Sequence, residues 1–366
     1  MKLKTILTSG VFLLVLFGFG VSQVILPDSE LSVSERRKLA QMPEFTAGAL
    51  LSGEYSDDLE TYLLDQFPLR DFLRKLKAMW QFDVYQQKDN NGIYIVDGSV
   101  CKLDETLKDA QVNAAIANTN KVYETYLQGM DVHFALIPDK NYFAAESNGY
   151  PAMDYEKMDQ MLSEGLVGKI QYHSFDICEE LTLSDYYSTD LHWRQERLES
   201  VVTNLSAALQ FQMPDFDSFV QTEYTPFYGA YYGQAALNVE ADTLITLSSP
   251  ATDSSIVTSA EFKGEKRVYD ESDLDNVDMY DVFLSGAQAI LTVTNPNGNT
   301  GKDLIIFRDS FTSSLAPLLL ESYDTITLID LRYVTTDLVG QFVEFSDQDV
   351  LFLYNTGLVN SGMLLK

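Results

Sequence analysis

Short apolar runs alternate with segments of helical periodicity along most of this chain. The apolar runs predict strands at 132–138, 171–177, 304–307, 325–331 and 350–354. The periodic segments predict helices at 106–127, 193–209, 312–322 and 335–345. Continuous apolar runs suit strands that are covered on both faces, and strand-then-helix alternation is typical of a parallel sheet. The pattern therefore predicts an α/β domain of three layers, built on a parallel sheet.

The amino-terminal pattern is different, because residues 5–26 form one largely apolar segment behind Lys2 and Lys4. A helix of about 22 residues is about 33 Å long, against roughly 30 Å for the hydrocarbon core of a bilayer. The best signal-peptidase site, Gly20-Val-Ser22, is a poor one. We therefore expect residues 1–27 to be an uncleaved anchor that holds the body on the extracytoplasmic face of the cell membrane. If the segment is cleaved, the protein is secreted.

A helical extension follows the anchor. Residues 28–43 are polar and predict a juxtamembrane tether, and helical patterns at 56–67 and 69–82 extend this region to residue 88. Pro68 is placed to open the second of these helices. The two helices either form a platform at the membrane or pack on the core as an extra layer.

The main domain is expected to span 89–366, beginning with a turn and an alternating strand at 91–98. Between about 212 and 301 the pattern changes to short runs and turn residues, which predicts a β-rich insertion. A tyrosine-rich segment at 224–233 lies within it. Clustered tyrosines can form a platform for sugars, but they also fill protein cores.

The charge of the chain excludes one class of partner. The formal net charge is -29 and the sequence pI is about 4.2, so a nucleic-acid backbone would be repelled. An anionic polymer would need a local basic pocket, for which Lys302, Arg308 and Arg332 are candidates. Hydrophobic residues make up 46% of the 366 residues, which is enough for a sizeable core.

Cys101 and Cys178 are the only cysteines, and neither has the spacing of a metal ligand. With no Walker-type loop or His-rich pattern either, we expect no metal and no cofactor. The two cysteines could pair outside the cell or remain as buried thiols.

The first candidate for chemistry is Ser310, which follows the strand at 304–307 and precedes a helix start. A serine on such a strand-to-helix turn has its hydroxyl clear of the strand and close to unpaired amides, as in enzymes with a nucleophilic serine. The alternative is that Asp309 or Ser310 only caps the helix.

A nucleophilic serine needs a base, and the chain has three histidines, His133, His173 and His192. Asp190 and His192 are two residues apart, so the carboxylate can orient the imidazole through its far ring nitrogen. Asp190, His192 and Ser310 are therefore the candidate acid, base and nucleophile. Asp190 could instead cap the following helix, and His133 is more typical of a packed residue.

Three stretches carry a resemblance to a known family: Thr189-Asp-Leu-His-Trp193, Leu304-Ile-Ile-Phe-Arg-Asp-Ser310-Phe, and Ile326-Thr-Leu-Ile-Asp-Leu-Arg332-Tyr333. With 31–39 and 60–70 they resemble the DHHW family of bacterial surface proteins, which are similar to the SGNH-hydrolase-like alginate O-acetyltransferases. The resemblance implies an SGNH-like fold. In the acetyltransferase relatives the triad is Asp-x-His plus the serine of the Asp-Ser turn, which carries over to Asp190, His192 and Ser310. Leu191 stands where the first His of Asp-His-His-Trp would fall.

Ligands of parallel sheets gather at the carboxyl ends of the strands, where the segment Asp139 to Asn141 and the pair Arg332 and Tyr333 fall. A polar loop, or an ion pair of Arg332 with Asp330, would explain these residues equally well. Weaker candidates for substrate contacts, taken from these ends and from nearby basic or aromatic residues, are Lys140, Asn141, Trp193, Tyr228, Arg308, Arg332 and Tyr333.

The sequence thus predicts serine-dependent acyl transfer outside the cell, and the resemblance implies O-acetylation of a cell-surface polysaccharide. The expected partners are that polysaccharide, an acyl donor or a membrane protein that delivers it, and the membrane itself. An esterase with the same site is one alternative. A glycan-binding protein of the cell envelope that has no turnover is another, because fold alone does not imply activity.

Overall fold

The chain folds into two units. In the computed structural model, which describes residues 2–32, 34–35, 37–237 and 239–364, the smaller unit holds residues 1–91 with 232–238. The larger unit holds 92–231 with 239–366. A few positions within the expected anchor, the 31–39 motif and the main domain lie outside the described residues: Met1, Val33, Arg36, Asn238, Leu365 and Lys366.

The smaller unit is mainly helical. Its elements are α1 (Lys2–Ile25), β1 (Leu31–Ser32), β2 (Arg37–Lys38), α2 (Ala47–Ser52), α3 (Glu54–Asp65) and α4 (Arg70–Met79), which continues as a π-helical turn at Trp80–Val84. The helices predicted at 56–67 and 69–82 are thus present, and Pro68 lies between them. From Leu3 to Ile25, α1 is long and apolar enough to cross a membrane and is not buried against the rest of the protein. A signal sequence would have the same properties.

The larger unit has twelve described strands, and eight of them form one sheet. The strands of the unit are β3 (Ile93–Val96), β4 (Ser99–Lys102), β5 (Val132–Ile137), β6 (Gln171–Tyr172), β7 (Val220–Phe227), β8 (Asp242–Ser248), β9 (Ile256–Ser259), β10 (Lys266–Arg267), β11 (Ile290–Thr294), β12 (Asp303–Arg308), β13 (Thr325–Ile329) and β14 (Asp349–Asn355). The order in the sheet is β10-β9-β11-β13-β12-β14-β5-β6. The pairs from β13 to β6 are parallel, and those from β10 to β13 are antiparallel.

Helices cover both faces of this sheet. The α-helices from residue 109 onward are α5 (Asp109–Val122, followed by a π-helical turn at Tyr123–Leu127), α6 (Lys140–Ala144), α7 (Tyr155–Gly165), α8 (Glu199–Leu209), α9 (Ala230–Ala235, which crosses the boundary between the units in sequence), α10 (Pro250–Ser254), α11 (Thr312–Leu315), α12 (Thr336–Val339) and α13 (Thr356–Ser361). One face packs against α8 and α11, and the other packs against α5, α7 and α13. The chain is therefore mixed α/β with a large, mostly parallel sheet, as its periodicity predicts.

The central strands are buried on both faces, which explains their continuous apolar runs. On β12, Leu304 and Ile306 point into one hydrophobic cluster, whereas Ile305 and Phe307 point into the other. This alternation lets one short strand contribute to two cores.

Several predicted elements are shorter than expected. The helix predicted at 312–322 is α11 followed by a 3-10 helix at Ala316–Leu319, since Pro317 has no backbone N–H to continue an α-helix. The strand predicted at 171–177 ends after two residues, because the backbone turns at Ser174, where φ is 51°. Only α12 forms within the helix predicted at 335–345. The helix predicted at 193–209 begins at Glu199.

Among its described residues, the segment at 212–301 contains five strands, β7 to β11, which have two different locations. The β7–β8 hairpin forms its own two-stranded sheet, while β9, β10 and β11 extend the large sheet at its antiparallel edge. The two cysteines are both buried free thiols. Cys101 and Cys178 belong to different hydrophobic clusters, so the structure has the second of the two alternatives, a pair of buried thiols.

Candidate active site

Four parallel strands end at one pocket. Ser310 follows β12, Asn355 ends β14, Lys140 follows β5 and Arg332 follows β13, and all four residues line a cavity of about 470 Å³. Because parallel strands have their carboxyl ends at the same edge of the sheet, residues distant in sequence meet there. The pocket is therefore a product of the sheet topology.

Asp190, His192 and Ser310 form an unbroken hydrogen-bonded series in this pocket. Nδ1 of His192 lies 2.6 Å from Oδ1 of Asp190, and Nε2 lies 2.7 Å from Oγ of Ser310. A carboxylate only accepts hydrogen bonds, so Nδ1 carries the proton and Nε2 is free to accept the proton of the serine hydroxyl. Ser310 is partly exposed, whereas Asp190 and His192 are buried. This is the geometry of a serine activated by an oriented imidazole.

A close approach of the backbone holds the second oxygen of Asp190. The Ala230 amide donates to Oδ2 at 2.6 Å, and Gly229 donates to the Thr189 hydroxyl at 2.9 Å. A Cβ on Gly229 would overlap the side chain of Asp190 and lie 2.5 Å from its Cα. Glycine is therefore required at this position if the 229–230 backbone is to reach the carboxylate.

The loop that carries Asp190 is fixed from both sides. Asp242 accepts the amides of Ser188 and Thr189 at 2.8 and 2.7 Å, and it also accepts the Thr189 hydroxyl. From the other side, the Lys140 ammonium donates to the carbonyls of Tyr187, Ser188 and Asp190 at 2.7 to 3.1 Å. Burial lowers the pKa of Lys140 to about 8. Lys140 thus stabilises the loop through three backbone oxygens.

The imidazole also rests on an aromatic ring. Tyr280 stacks on His192 with 3.9 Å between ring centroids and 6° between the planes. The Tyr280 hydroxyl donates to Ser314, which in turn accepts the indole N–H of Trp193. Burial raises the pKa of Tyr280 above its usual range, so this ring stays neutral. The stack fixes the plane of the base.

The turn after β12 presents the serine. The Asp309 carboxylate accepts the amides of Phe311 and Asn355, which joins the turn to the end of β14, and burial raises the pKa of Asp309. The amide of Ser310 has no hydrogen-bond partner among the described residues. It is therefore available to an oxygen on a group bound at Oγ.

The half-buried carboxylate of Asp139 lies in the wall of the pocket. Asp139 accepts hydrogen bonds from Thr356, Tyr155 and the amide of Tyr142, and burial raises its pKa. The neighbouring Asn141 accepts the Tyr94 hydroxyl at 2.7 Å. Leu191, which replaces the first His of the Asp-His-His-Trp motif, also lines the pocket and gives it an apolar patch.

The weaker candidates divide into three groups. Lys140, Asn141 and Arg332 line the pocket with Ser310, and Arg332 forms an ion pair of 2.6 Å with Asp330. Burial acts to lower the pKa of Arg332, but the pairing with Asp330 outweighs burial, so the pKa is raised. Trp193 and Arg308 are fully buried, and Tyr228 and Tyr333 are exposed but do not line the pocket.

Two residues are therefore in the wrong place to contact a substrate. The Trp193 ring is buried and its N–H donates to Phe311 and Ser314, so it positions the serine turn and cannot stack on a sugar. Arg308 is buried and donates to Ser313.

Lys302 is also misplaced. It precedes β12 and pairs with Asp349, so it lies at the amino-terminal end of the strand whose other end leads to Ser310. A strand of six residues is about 20 Å long.

Sequence reasoning missed Tyr280, Asp242 and Asn355, and it named Tyr231 only as part of the tyrosine-rich segment at 224–233. Tyr231 and Asn355 line the pocket, while Tyr280 and Asp242 hold the triad from behind. Asn355 could have been found as the polar residue at the end of the last predicted strand. Among the described residues there is no group of three His, Cys, Asp or Glu side chains that could hold a metal ion.

Comparisons with known proteins agree with this fold. Residues 154–329, just under half of the chain, match the sequence model of the family described as DHHW protein, which confirms the resemblance. A DHHW family protein from Eubacterium siraeum is 19% identical with a TM-score of 0.59, and the match covers 75% of this chain and 95% of that chain. The comparison with curated protein sequences gave no match.

Bacillus cereus PatB1 has the same fold. It is 16% identical with a TM-score of 0.58, over 75% of this chain and 99% of that chain, and it is also known with a sulfonyl adduct. The O-acetyltransferase domain of Pseudomonas putida AlgJ is a more distant neighbour, with 10% identity and a TM-score of 0.41 over 74% of this chain and 92% of that one. The first two structures therefore establish the fold of the larger part of the chain.

Proposed function

We propose that this protein is an extracytoplasmic serine acyltransferase that places an acetyl group on a hydroxyl of a cell-surface polysaccharide. The observation that carries the proposal is the hydrogen-bonded series of Asp190, His192 and Ser310 at the mouth of a pocket. The resemblance to the DHHW family and, through it, to alginate O-acetyltransferases supports the choice of acetyl group and glycan.

In the first step Oγ of Ser310 attacks the carbonyl carbon of the acyl donor, and Nε2 of His192 takes the hydroxyl proton. Asp190 holds the ring and stabilises the imidazolium cation that forms. The free amide of Ser310 donates to the oxyanion of the tetrahedral intermediate. The donor is an ester, so the bond between its acyl carbon and its alcohol oxygen then breaks. His192 returns the proton to the departing alcohol, and an acyl-serine remains.

In the second step a sugar hydroxyl replaces the donor alcohol. His192 takes its proton, the hydroxyl oxygen attacks the acyl-serine, and the proton returns to Ser310 as the ester is released. Transfer wins over hydrolysis only if the bound glycan keeps water from the acyl-serine. The apolar wall formed by Leu191 and Tyr231 favours this exclusion.

The anchor and the partners belong to the same proposal. We expect α1 to remain in the membrane, so that the larger unit works at the outer surface of the cell membrane. The partners in this proposal are the polysaccharide, an acyl donor or a membrane protein that delivers the acyl group, and the membrane itself.

The test uses full-length protein in detergent, with an activated acetyl ester as the donor and oligosaccharides of the cell surface as acceptors. Acetylated sugar and free acetate are measured for the wild type, Ser310→Ala and His192→Ala. The general-base step is worth about 100-fold to 10,000-fold, so each variant should lose nearly all turnover. Ser206→Ala, which removes a hydroxyl on α8 that only bonds its own helix, is the matched control.

Each outcome has a distinct meaning. Acetylated sugar that depends on Ser310 supports the transferase, whereas free acetate alone from the same serine identifies an esterase. Near-normal turnover in both variants would exclude the triad. Tight glycan binding that is unchanged in Ser310→Ala, with no turnover in the wild type, would identify a binding protein.

A further inference from the structure

Helix α4 and the π-helical turn after it present apolar side chains to the outside. Leu69, Phe72 and Met79 are 65%, 60% and 52% exposed, and Leu76 and Trp80 are exposed beside them. These five positions are spaced by three or four residues, apart from the adjacent pair at 79 and 80, so they form one stripe along the helix. We call them the α4 stripe. A surface helix of a soluble protein normally turns such a stripe toward its core.

The polar face of the same helix points inward. Arg70 and Arg74 both pair with Glu35, and Arg74 also donates to the carbonyl of Gly233 at 2.7 Å. Ala78, on this face, is completely buried. The ion pairs fix the rotation of the helix, so the stripe cannot turn inward without breaking them.

The charges around the stripe fit an anionic surface. Lys75 and Lys77 lie on its two borders. Lys77 is exposed and can keep its stem on the apolar surface while its ammonium group reaches outward, whereas the Lys75 ammonium lies over the Tyr232 ring, 5.9 Å from its centroid. Residues 69–88 contain five basic and two acidic residues, in a chain with a net charge of -29, although two of the basic residues, Arg70 and Arg74, pair with Glu35 on the inward face. A basic amphipathic helix with exposed Phe and Trp is the type that lies in the headgroup region of a membrane.

Contacts of α3 and the residues after it with α1 also place α4 near the membrane surface. Phe67 stacks on Phe19 with 5.1 Å between ring centroids, and Gln23 donates to the carbonyl of Leu63 at 2.7 Å. Phe19 lies about 9 Å before the end of α1 at Ile25, at 1.5 Å per residue. If α1 crosses the bilayer, the link between α3 and α4 therefore reaches roughly the 5 to 10 Å depth that interfacial helices occupy.

We propose that the α4 stripe lies in the outer headgroup region of the membrane and binds its lipids directly. This inference rests on the proposed anchoring by α1, but it does not depend on the acyl-transfer chemistry. The contact gives the smaller unit a second attachment to the lipid surface beyond the single α1 helix. The occupant is a lipid surface of anionic character, because the stripe is apolar and its borders are basic.

Trp80 allows a direct test, because the chain has only two tryptophans and Trp193 is fully buried. Full-length protein is reconstituted in vesicles of phosphatidylcholine and phosphatidylglycerol, with or without bromine on the upper acyl chains. Subtraction of the Trp80→Phe spectrum isolates the emission of Trp80. We expect brominated lipid to quench this emission strongly and aqueous iodide to quench it weakly.

Two substitutions on the same helix sharpen the result. Leu76→Glu places a carboxylate in the stripe and should reduce the quenching by brominated lipid. Asp71→Asn, at an exposed position outside the stripe, removes only ion pairs of 3.8 to 3.9 Å with Arg70 and Arg74, and the closer pairs of both arginines with Glu35 remain, so it should leave the quenching unchanged. Co-sedimentation with the vesicles reports whether α1 holds the protein, independently of Trp80.

The contrary outcomes are distinct. Quenching by iodide but not by brominated lipid, in protein that sediments with the vesicles, would show that the stripe faces water. Protection from both quenchers would show that a second copy or another protein covers the stripe, and would overturn the assignment to lipid. Failure to sediment would remove the anchor on which the inference rests, while the Ser310 assays would be unaffected.

Discussion

Nε2 of His192 lies 2.7 Å from Oγ of Ser310, although 118 residues separate them in the chain. The imidazole reaches the serine because its loop is held by Asp242 and Lys140, while Tyr280 supports the ring. The geometry of the triad therefore depends on contacts from three distant parts of the chain.

Asp190→Asn should abolish most of the activity while leaving the fold intact. The amide that replaces the carboxylate offers one accepting oxygen, and its NH₂ group disfavours the tautomer with a proton on Nδ1. A loss of about 10,000-fold in kcat is the expected scale for such a change. Turnover measured beside circular dichroism checks this, and an unchanged kcat would remove Asp190 from the triad.

Gly229→Ala should displace Asp190. The new Cβ would overlap the carboxylate and its Cα, so either the 229–230 backbone or the Asp190 loop must move. Overpacking of this kind costs typically about 1 to 3 kcal/mol, and we expect kcat to fall with it. Gly168→Ala is the control, because a Cβ there meets nothing within 4 Å. Equal activity and thermal stability in the two variants would contradict the close approach at Gly229.

Lys140 should set an alkaline limit on activity. Its pKa of about 8 means that the ammonium, with three N–H donors for three carbonyls, is replaced above that pH by an amine with only two. The Asp190 loop then loses one contact, and kcat should fall. Lys140→Met should lower kcat at every pH and abolish the decline near pH 8, with little change in KM. A decline that persists unchanged in Lys140→Met would assign it to another group.

The titration of Lys140 should change the free energy of unfolding in the opposite direction to kcat as the pH rises. In the unfolded chain the lysine titrates near its ordinary value of 10.5, so between about 8 and 10.5 the unfolded state binds more protons than the folded state. Stability from this group therefore rises with pH across that window. Urea midpoints of the wild type and Lys140→Met, compared across the same range, measure the difference.

His133 on β5 and His173 just after β6 form a pair that should make the stability of the protein decrease in acid. Nδ1 of His133 lies 2.7 Å from Nε2 of His173, and burial followed by the charge of His133 lowers the pKa of His173, against the opposing charges of Asp176 and Asp131. The folded state therefore binds fewer protons than the unfolded state below 6.5, and stability should fall as the pH drops through that value.

His173→Gln keeps a hydrogen-bonding group without the charge, so its urea midpoint should change less with pH than that of the wild type. Identical pH dependence in the two proteins would exclude His173 as the source.

Much of the fold followed from the sequence because the signal is local. The continuous apolar run of β12 predicted a doubly covered strand, and strand-then-helix order predicted a parallel sheet whose carboxyl ends hold the site. The same rule placed Lys140, Asn141 and Arg332 beside Ser310, where the structure has them.

The wrong and missing predictions concern site residues whose positions are set by packing and by contacts between parts of the chain that are far apart in sequence. Arg308 and Trp193 are close to the triad in sequence, but side-chain direction and packing bury both of them. Tyr280 lies in the β-rich segment, with no local pattern that relates it to His192. Lys302 was grouped with the site because it is near Ser310 in sequence, although a whole strand separates them.

The most direct test of the central claim is intact-mass spectrometry of the full-length protein, quenched soon after mixing with an activated acetyl ester. We expect one acetyl adduct, which peptide mapping places on Ser310. It should be absent in Ser310→Ala, strongly slowed in His192→Ala and unchanged in Ser206→Ala. An adduct that persists in Ser310→Ala, or no adduct in folded wild-type protein with several donors, would contradict the claim.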